Sequence, residues 1–462
     1  MGALFIVAYL LLTVIAIVTL FKNNYKWSLL CFLFFATKGM AILPDETGPI
    51  RASYLAFLYV ILFIVKNWRY LFKCIRCGVG KRLKWLLVFF AISVFFSIFY
   101  YGLPIVQTVV VGSRYLILSS YLFFGVMNEE DRQWLLDKVF HITLVLSVLF
   151  IIQAFTGISM LQAANNEIGL DAQGLYHGGI LPPFAQILVY VCLFDKTLIN
   201  KRLRMAGAVL FLMALICTMF RTLLFSTFLT IFLIMLFNKD FKRNLLIMFT
   251  VGCLLFYFQD KLSTRANKDG KTKDDIELVL KGEFHEADYQ SQNGLTMLYR
   301  LALINERLEY LADAPLAVSV FGLGLTVDNR WAYRQYGFQF GLIDDDGIPS
   351  QLRTPDIDWG NFVCNYGLGG TILFLIFYVG IILELKKRRK QIELANILFF
   401  SSLIMFILSF SGNVLSEPYS LVPFFFLYSI AVEQPKQTTL RKVELRKSNQ
   451  DDFYNSYSML QR

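Results

Sequence analysis

Along this chain apolar runs of membrane-spanning length alternate with short polar connectors thirteen times, and one long polar insert, residues 260–358, interrupts the series. About 17 to 25 apolar residues cross bilayer hydrocarbon as a helix, because backbone N–H and C=O groups there find partners only within their own segment. Helices are predicted near 3–21, 27–43, 52–66, 85–101, 104–127, 136–157, 178–195, 205–220, 222–237, 244–259, 359–385, 393–414 and 418–433. The chain then divides into about ten N-terminal helices (1–259), the insert (260–358), about three C-terminal helices (359–434) and a polar tail (435–462). The expected fold class is an all-α polytopic membrane protein with about 12–13 transmembrane helices and one large external loop containing short helices. The run 27–43 holds Lys38; if it is re-entrant the count is twelve and the N-terminus moves from the external to the cytoplasmic side.

The insert has a pattern of its own. Leu295, Leu298, Leu301, Leu308 and Leu311 recur at spacings near three, four and seven, which predicts an amphipathic helix over 294–312 closed by Asp313 and Pro315. Gly322 and Gly324 then form a turn, whereas 260–275, rich in Lys, Asp, Asn and Gly, reads as a solvated stretch.

Charge orients this threading. The connector from 66 to 84 carries Arg69, Lys73, Arg76, Lys81 and Arg82 with no acid, and 386–390 reads KKRRK, so both belong in the cytoplasm. The basic clusters at 196–204 and 239–243 fall on the same side by parity. The insert, with 17 acidic against 11 basic residues, and the polar loop 157–177 fall opposite. The basic tail returns to the cytoplasm. A net charge of +10 distributed in this way marks topology, not a nucleic-acid partner. With 56% hydrophobic residues and a mean hydropathy of +0.55, the composition agrees. The first apolar run has no basic residue before it and no small-residue cleavage site after it, so it reads as a retained helix.

Several chemistries lose support. There is no P-loop, no H-E-x-x-H and no G-x-S-x-G, and no repeat at a fixed period. Cys74 and Cys77 form a lone C-x-x-C without a second pair or nearby His, which is poor ground for zinc. No metal or cofactor is expected. The insert has no cysteine to hold it.

Charges within or beside spanning helices are costly and mark candidate sites. Arg114 lies in the middle of the predicted fifth helix, and Arg221 stands in the short break between Phe220 and Thr222. A planar guanidinium donates paired hydrogen bonds to phosphoryl oxygens and stays charged in any surroundings. Arg300, on the insert helix, is a third such group. A headgroup anchor for Arg221, a buried carboxylate partner for Arg114 and a solvated position for Arg300 are the alternatives. Asp356 and Asp358 precede the helix that starts DWGNFVCNYGLGG; either suits a general base acting on a sugar hydroxyl, or a helix N-terminal acid favoured by the dipole. His177 stands at the outer start of the seventh helix.

An arginine opening FRTLLFSTFL, an arginine on a loop helix followed by FGLGL, and an acid-aromatic stretch entering YGLGG together resemble the O-antigen polymerase and O-antigen ligase superfamily, over roughly residues 85–427. The resemblance implies a metal-independent glycosyltransferase of a bacterial inner membrane. Such an enzyme joins polyprenyl-diphosphate-linked repeat units into O-antigen, capsule or another exported polysaccharide. It implies that Arg221 and Arg300 hold the diphosphate, and in the reaction that follows Asp356 or Asp358 takes the hydroxyl proton; Arg114, for its depth in a helix, and His177, for its place near the inferred site, are substrate-binding candidates on the residues alone. The ligase branch has a histidine eleven residues before the first glycine of its G-x-x-G step; here that position is Asp356, before Gly367, which favours a polymerase. A flippase and a chain-length regulator are implied partners beside membrane lipid. A ligase moving glycan to a lipid or protein acceptor, and a non-enzymatic lipid or glycan transporter, are the alternatives.

Overall fold

A computed structural model describes residues 2–47, 50–76, 78–161, 169–170, 176–177, 180–218, 220–237, 297–325, 336, 338, 357–410 and 412–432. The predicted helix 244–259, the solvated stretch 260–275, Asp356 and the tail from 435 lie outside the described residues. The helices are α1 (Gly2–Phe21), α2 (Tyr25–Ala36), α3 (Ala52–Cys74), α4 (Gly78–Phe99), α5 (Ile105–Leu116), α6 (Glu129–Thr156), α7 (Ala185–Phe194), α8 (Lys201–Cys217) and α9 (Arg221–Phe237). After the insert's first part come α10 (Met297–Asp313), α11 (Leu316–Phe321), α12 (Asp358–Arg388), α13 (Glu393–Leu408) and α14 (Pro418–Val432). Two 3₁₀ segments, Lys38–Ala41 and Ile117–Val126, and two hairpins of two-residue strands, β1 (Glu46–Thr47) with β2 (Ile50–Arg51) and β3 (Gly169–Leu170) with β4 (Tyr176–His177), accompany these helices.

The protein is an all-α membrane protein. Among the described residues five helices are long and apolar enough to cross a bilayer: α1, α3, α4, α6 and α12. The segments Ile105–Ser113 and Ile117–Val126 make a sixth if their 49° bend lies within one span. Leu11 and Val14 on α1, Phe95 and Phe99 on α4 and Val106 on α5 face outward. Water would penalise each by about 1.5 to 3 kcal/mol relative to burial, a cost that lipid removes.

Element boundaries differ from the hydropathy reading where polar residues continue a helix. α6 starts at Glu129 and not near 136, because the Asn128 side chain caps it, accepting from the Asp131 N–H at 2.7 Å. Glu129, Glu130 and Asp131 then fill its first turn, where the helix dipole favours acids. α3 runs past its apolar stretch to Cys74 and α4 begins at Gly78, since Lys and Arg are good helix formers. α3 is interrupted at Asn67 (φ −104°, ψ 21°), whose side chain accepts a hydrogen bond from the Tyr25 hydroxyl at 2.8 Å. α2 has 12 residues, about 18 Å against roughly 30 Å of hydrocarbon. It gives way to a 3₁₀ turn, Lys38–Ala41, in which all four residues have positive φ.

Antiparallel neighbours give the bundle two distinct ends. At one, which we term the loop end, the 37–41 turn, the start of α12 and the link between α13 and α14 come together; Lys38 Nζ lies 3.7 Å from Glu417. At the other, the basic end, Arg388 donates to the Val432 carbonyl and pairs with Glu384 at 2.7 Å. Between them a contiguous core is dense in rings, with Phe63 stacked on Phe123 at 4.0 Å and Phe362 on Phe374 at 4.1 Å.

Candidate functional site

At the loop end a cavity of about 320 Å³ opens between α7, α9, α13 and α14. Its wall is mostly apolar, from Leu181 and Pro182 to Phe220 and Leu223 on one side, and Met405, Leu408 and Val414 on the other. Pro182 and Pro183, without amide hydrogens, delay α7 until Ala185 and leave the Leu181 carbonyl free to accept from the Tyr419 hydroxyl. Gln186 supplies one of its polar groups, beside Thr230 and Ser401; its amide nitrogen lies 3.3 Å from Ser226 Oγ and 3.4 Å from the Tyr190 hydroxyl. An apolar cavity of this size with a few convergent polar groups suits an amphiphile.

Asp358 holds in place the link that carries the cavity-lining Val414. Its carboxylate is fully buried and accepts three backbone N–H groups at 2.7 Å: Val414 and Leu415 on one oxygen, Ser416 on the other. The same end of α12 adds Trp359 Nε1 to Ser409 Oγ at 2.8 Å and Asn361 to Asn413 at 3.2 Å. One turn further on, Asn365 Oδ1 is buried without a hydrogen-bond partner among the described residues. Asp358 thus anchors the 412–416 link. Asp358→Ala would leave three amides, one buried and two partly buried, without acceptors and is expected to destabilise the protein by about 3 kcal/mol or more, with Asp358→Asn intermediate because one acceptor oxygen remains. Thermal unfolding of the purified variants in detergent checks this; equal melting of Asp358→Ala and wild type would refute it.

Beside the cavity, the insert docks on α12 through glycine. Within α12, Gly367 (φ 60°, ψ −166°) breaks the helical backbone, and Gly322, the residue after α11, has φ 79° and ψ −162°. Leu323 N–H donates to the Cys364 carbonyl at 2.7 Å. A Cβ on Gly322 would lie 2.5 Å from that carbonyl oxygen and from Gly367 N. Tyr101 donates to the Gly322 carbonyl at 2.5 Å and Tyr336 to the Leu323 carbonyl at 3.1 Å. Burial pushes both phenols above the usual tyrosine range, so they remain donors throughout the physiological pH range. The FGLGL and YGLGG segments, more than forty residues apart, are therefore in backbone contact.

The candidate residues fall around this arrangement unevenly. Arg221 is the first residue of α9, between the cavity-lining Phe220 and Leu223; the description of Arg221 extends to its backbone. His177 pairs with Gly169 in the β3–β4 hairpin, three residues before the cavity-lining Ile180, and is likewise described by its backbone. Arg300 is half-buried on α10, the helix that packs on α12 beside α11. Arg114 lies near the end of α5, next to the bend, where its neighbour Tyr115 meets Tyr366 edge-on at 4.3 Å; its own description is also of the backbone. Asp356 is outside the described residues.

Sequence reasoning passed over Arg307, which is 1% exposed, lies 2.7 Å from Glu306 and covers the Phe338 ring at 4.5 Å. The signal was present: seven residues after Arg300, it occupies the same face of α10. Comparison of the chain with protein-family models and with curated proteins finds no match.

Proposed function

We propose that the chain is a metal-independent membrane glycosyltransferase. On this reading it polymerises polyprenyl-diphosphate-linked oligosaccharide repeats into an exported polysaccharide, at the periplasmic face of a bacterial inner membrane. Its 12 to 13 spans carry the basic end in the cytoplasm and the 260–358 loop in the periplasm. The observation that carries the reading is the loop-end cavity, an apolar chamber with the start of α9 at Arg221 on one wall and the Asp358-anchored link on the other. The backbone contact between FGLGL and YGLGG adds support, since it brings together two of the three segments on which the family resemblance rests.

In the proposed reaction a terminal sugar hydroxyl of one lipid-linked unit attacks the anomeric carbon of the growing chain. The new C–O bond forms as the bond to the polyprenyl diphosphate breaks. The diphosphate departs with its extra negative charge, which Arg221 and Arg300 stabilise, and Asp356 takes the hydroxyl proton. The apolar cavity wall receives isoprenoid, and Arg114 and His177 contribute to substrate binding. Surface-glycan ladders from a deletion strain complemented with variants test this; an unchanged ladder in the deletion strain overturns it.

A further inference from the structure

At the basic end, opposite the loop-end cavity, a groove of about 670 Å³ lies where α7 and α9 finish and α12 turns into α13. One wall is apolar, formed by Phe194, Ile234, Phe237 and Ile397, and the other carries Arg389 and Lys390. The half-buried guanidinium of Arg389 lies over three rings, 4.8 Å from Phe399, 5.5 Å from Phe237 and 5.9 Å from Phe400. Rings cover a guanidinium's face and leave its N–H edge free to donate. Its neighbour Arg388 is neutralised by Glu384, but no carboxylate among the described residues pairs with Arg389 or Lys390. The one acid among the described lining residues, Glu393, accepts from the Lys196 backbone N–H at 3.2 Å.

We propose that this groove binds an anionic glycerophospholipid. Its phosphate is held by Arg389 and Lys390 and its acyl chain lies against Phe237 and Ile234. The occupant follows from charge and position: two cations without a carboxylate partner among the described residues, beside apolar side chains at the charged ends of membrane-embedded helices, match a headgroup phosphate joined to an alkyl chain. The proposal is independent of the glycan reaction.

The test is native mass spectrometry of the delipidated full-length protein, titrated with phosphatidylglycerol or phosphatidylcholine of identical chains. The wild type is expected to bind phosphatidylglycerol about tenfold more tightly, and R389Q/K390Q to lose that preference. K386Q/K387Q, which removes the same charge from the exposed preceding residues, is expected to retain it. If R389Q/K390Q does not fold, Lys390→Gln alone, at an exposed position, is expected to lower the preference about threefold to fivefold. Retained preference in the groove variants, or equal loss in K386Q/K387Q, overturns the proposal. So does displacement of the lipid by millimolar inorganic phosphate, which would assign the site to a free anion.

Discussion

Arg221→Ala and Arg300→Ala are each expected to collapse the surface-glycan ladder to a single attached repeat unit, with protein levels at those of the wild type. In the proposed reaction the leaving diphosphate gains charge as the glycosidic bond breaks, and removing one preorganised donor to such a charge commonly slows the chemical step about 10²- to 10³-fold. Chain extension is repetitive, so a loss of that size leaves almost no product beyond the first unit. Arg221→Lys and Arg300→Lys retain charge but lose the paired, planar donors, and are expected to give short, faint ladders. Asp356→Ala is expected to fail similarly. Arg307→Ala serves as the contrast: its buried guanidinium pairs with Glu306 and lies over Phe338, so its removal is expected to lower protein level and melting temperature. The arms also separate the alternatives. A ligase would leave no glycan attached while lipid-linked polymer accumulates. Normal ladders in every variant and in the deletion strain would remove both enzymes and make transport the hypothesis to test.

The helices were legible because hydrocarbon imposes one pattern on every span, and the starts of α1, α3, α9, α12, α13 and α14 lie within two residues of the apolar run that announces each. Hydropathy failed where the deciding interaction was polar and local. Asn128 and the three acids after it extend α6 by about two turns before its first long apolar stretch. The four positive φ values from Lys38 to Ala41 end α2 short of a full span, and hydropathy has no term for backbone handedness. At the site, the sequence displayed Asp358 as an acid beside a membrane, which fits a base and an anchor equally well. Only the fold shows the Val414, Leu415 and Ser416 amides converging on it from 56 to 58 residues away. Arg221 stood out in the sequence as a charge in a two-helix break, and the fold places it at the start of α9. The cavity beside that helix start was not legible, because its lining comes from four helices distant in sequence.

Gly322→Ala and Gly367→Ala are expected to be the most damaging substitutions of a small residue anywhere in the described chain. Both glycines have φ between 60° and 79° with ψ near −165°, a region that residues with a Cβ essentially do not occupy, and strain there costs of order 1 to 3 kcal/mol. A clash is added to the strain. A Cβ on Gly367 would stand 2.4 Å from Gly322 N and 2.6 Å from the carbonyl oxygens of Ser319 and Val320, all backbone atoms that no side-chain rotation can move. The combined cost, about 3 kcal/mol or more, falls on the contact that seats α11 against α12. Each variant is therefore expected to melt well below the wild type and to expose the α10–α11 segment to protease while the rest of the bundle resists. Gly412→Ala is the control, since a Cβ there meets nothing closer than 3.7 Å, and it is expected to behave as wild type. If Gly367→Ala and Gly412→Ala melted together, the glycine contact would not be what holds the insert. Loss of the ladder in Gly367→Ala at temperatures where the bundle is still folded would instead tie polymer formation to the seating of Arg300 on α10. An arginine on a helix free to drift by even an ångström cannot meet a charge that develops at one point in the membrane interface.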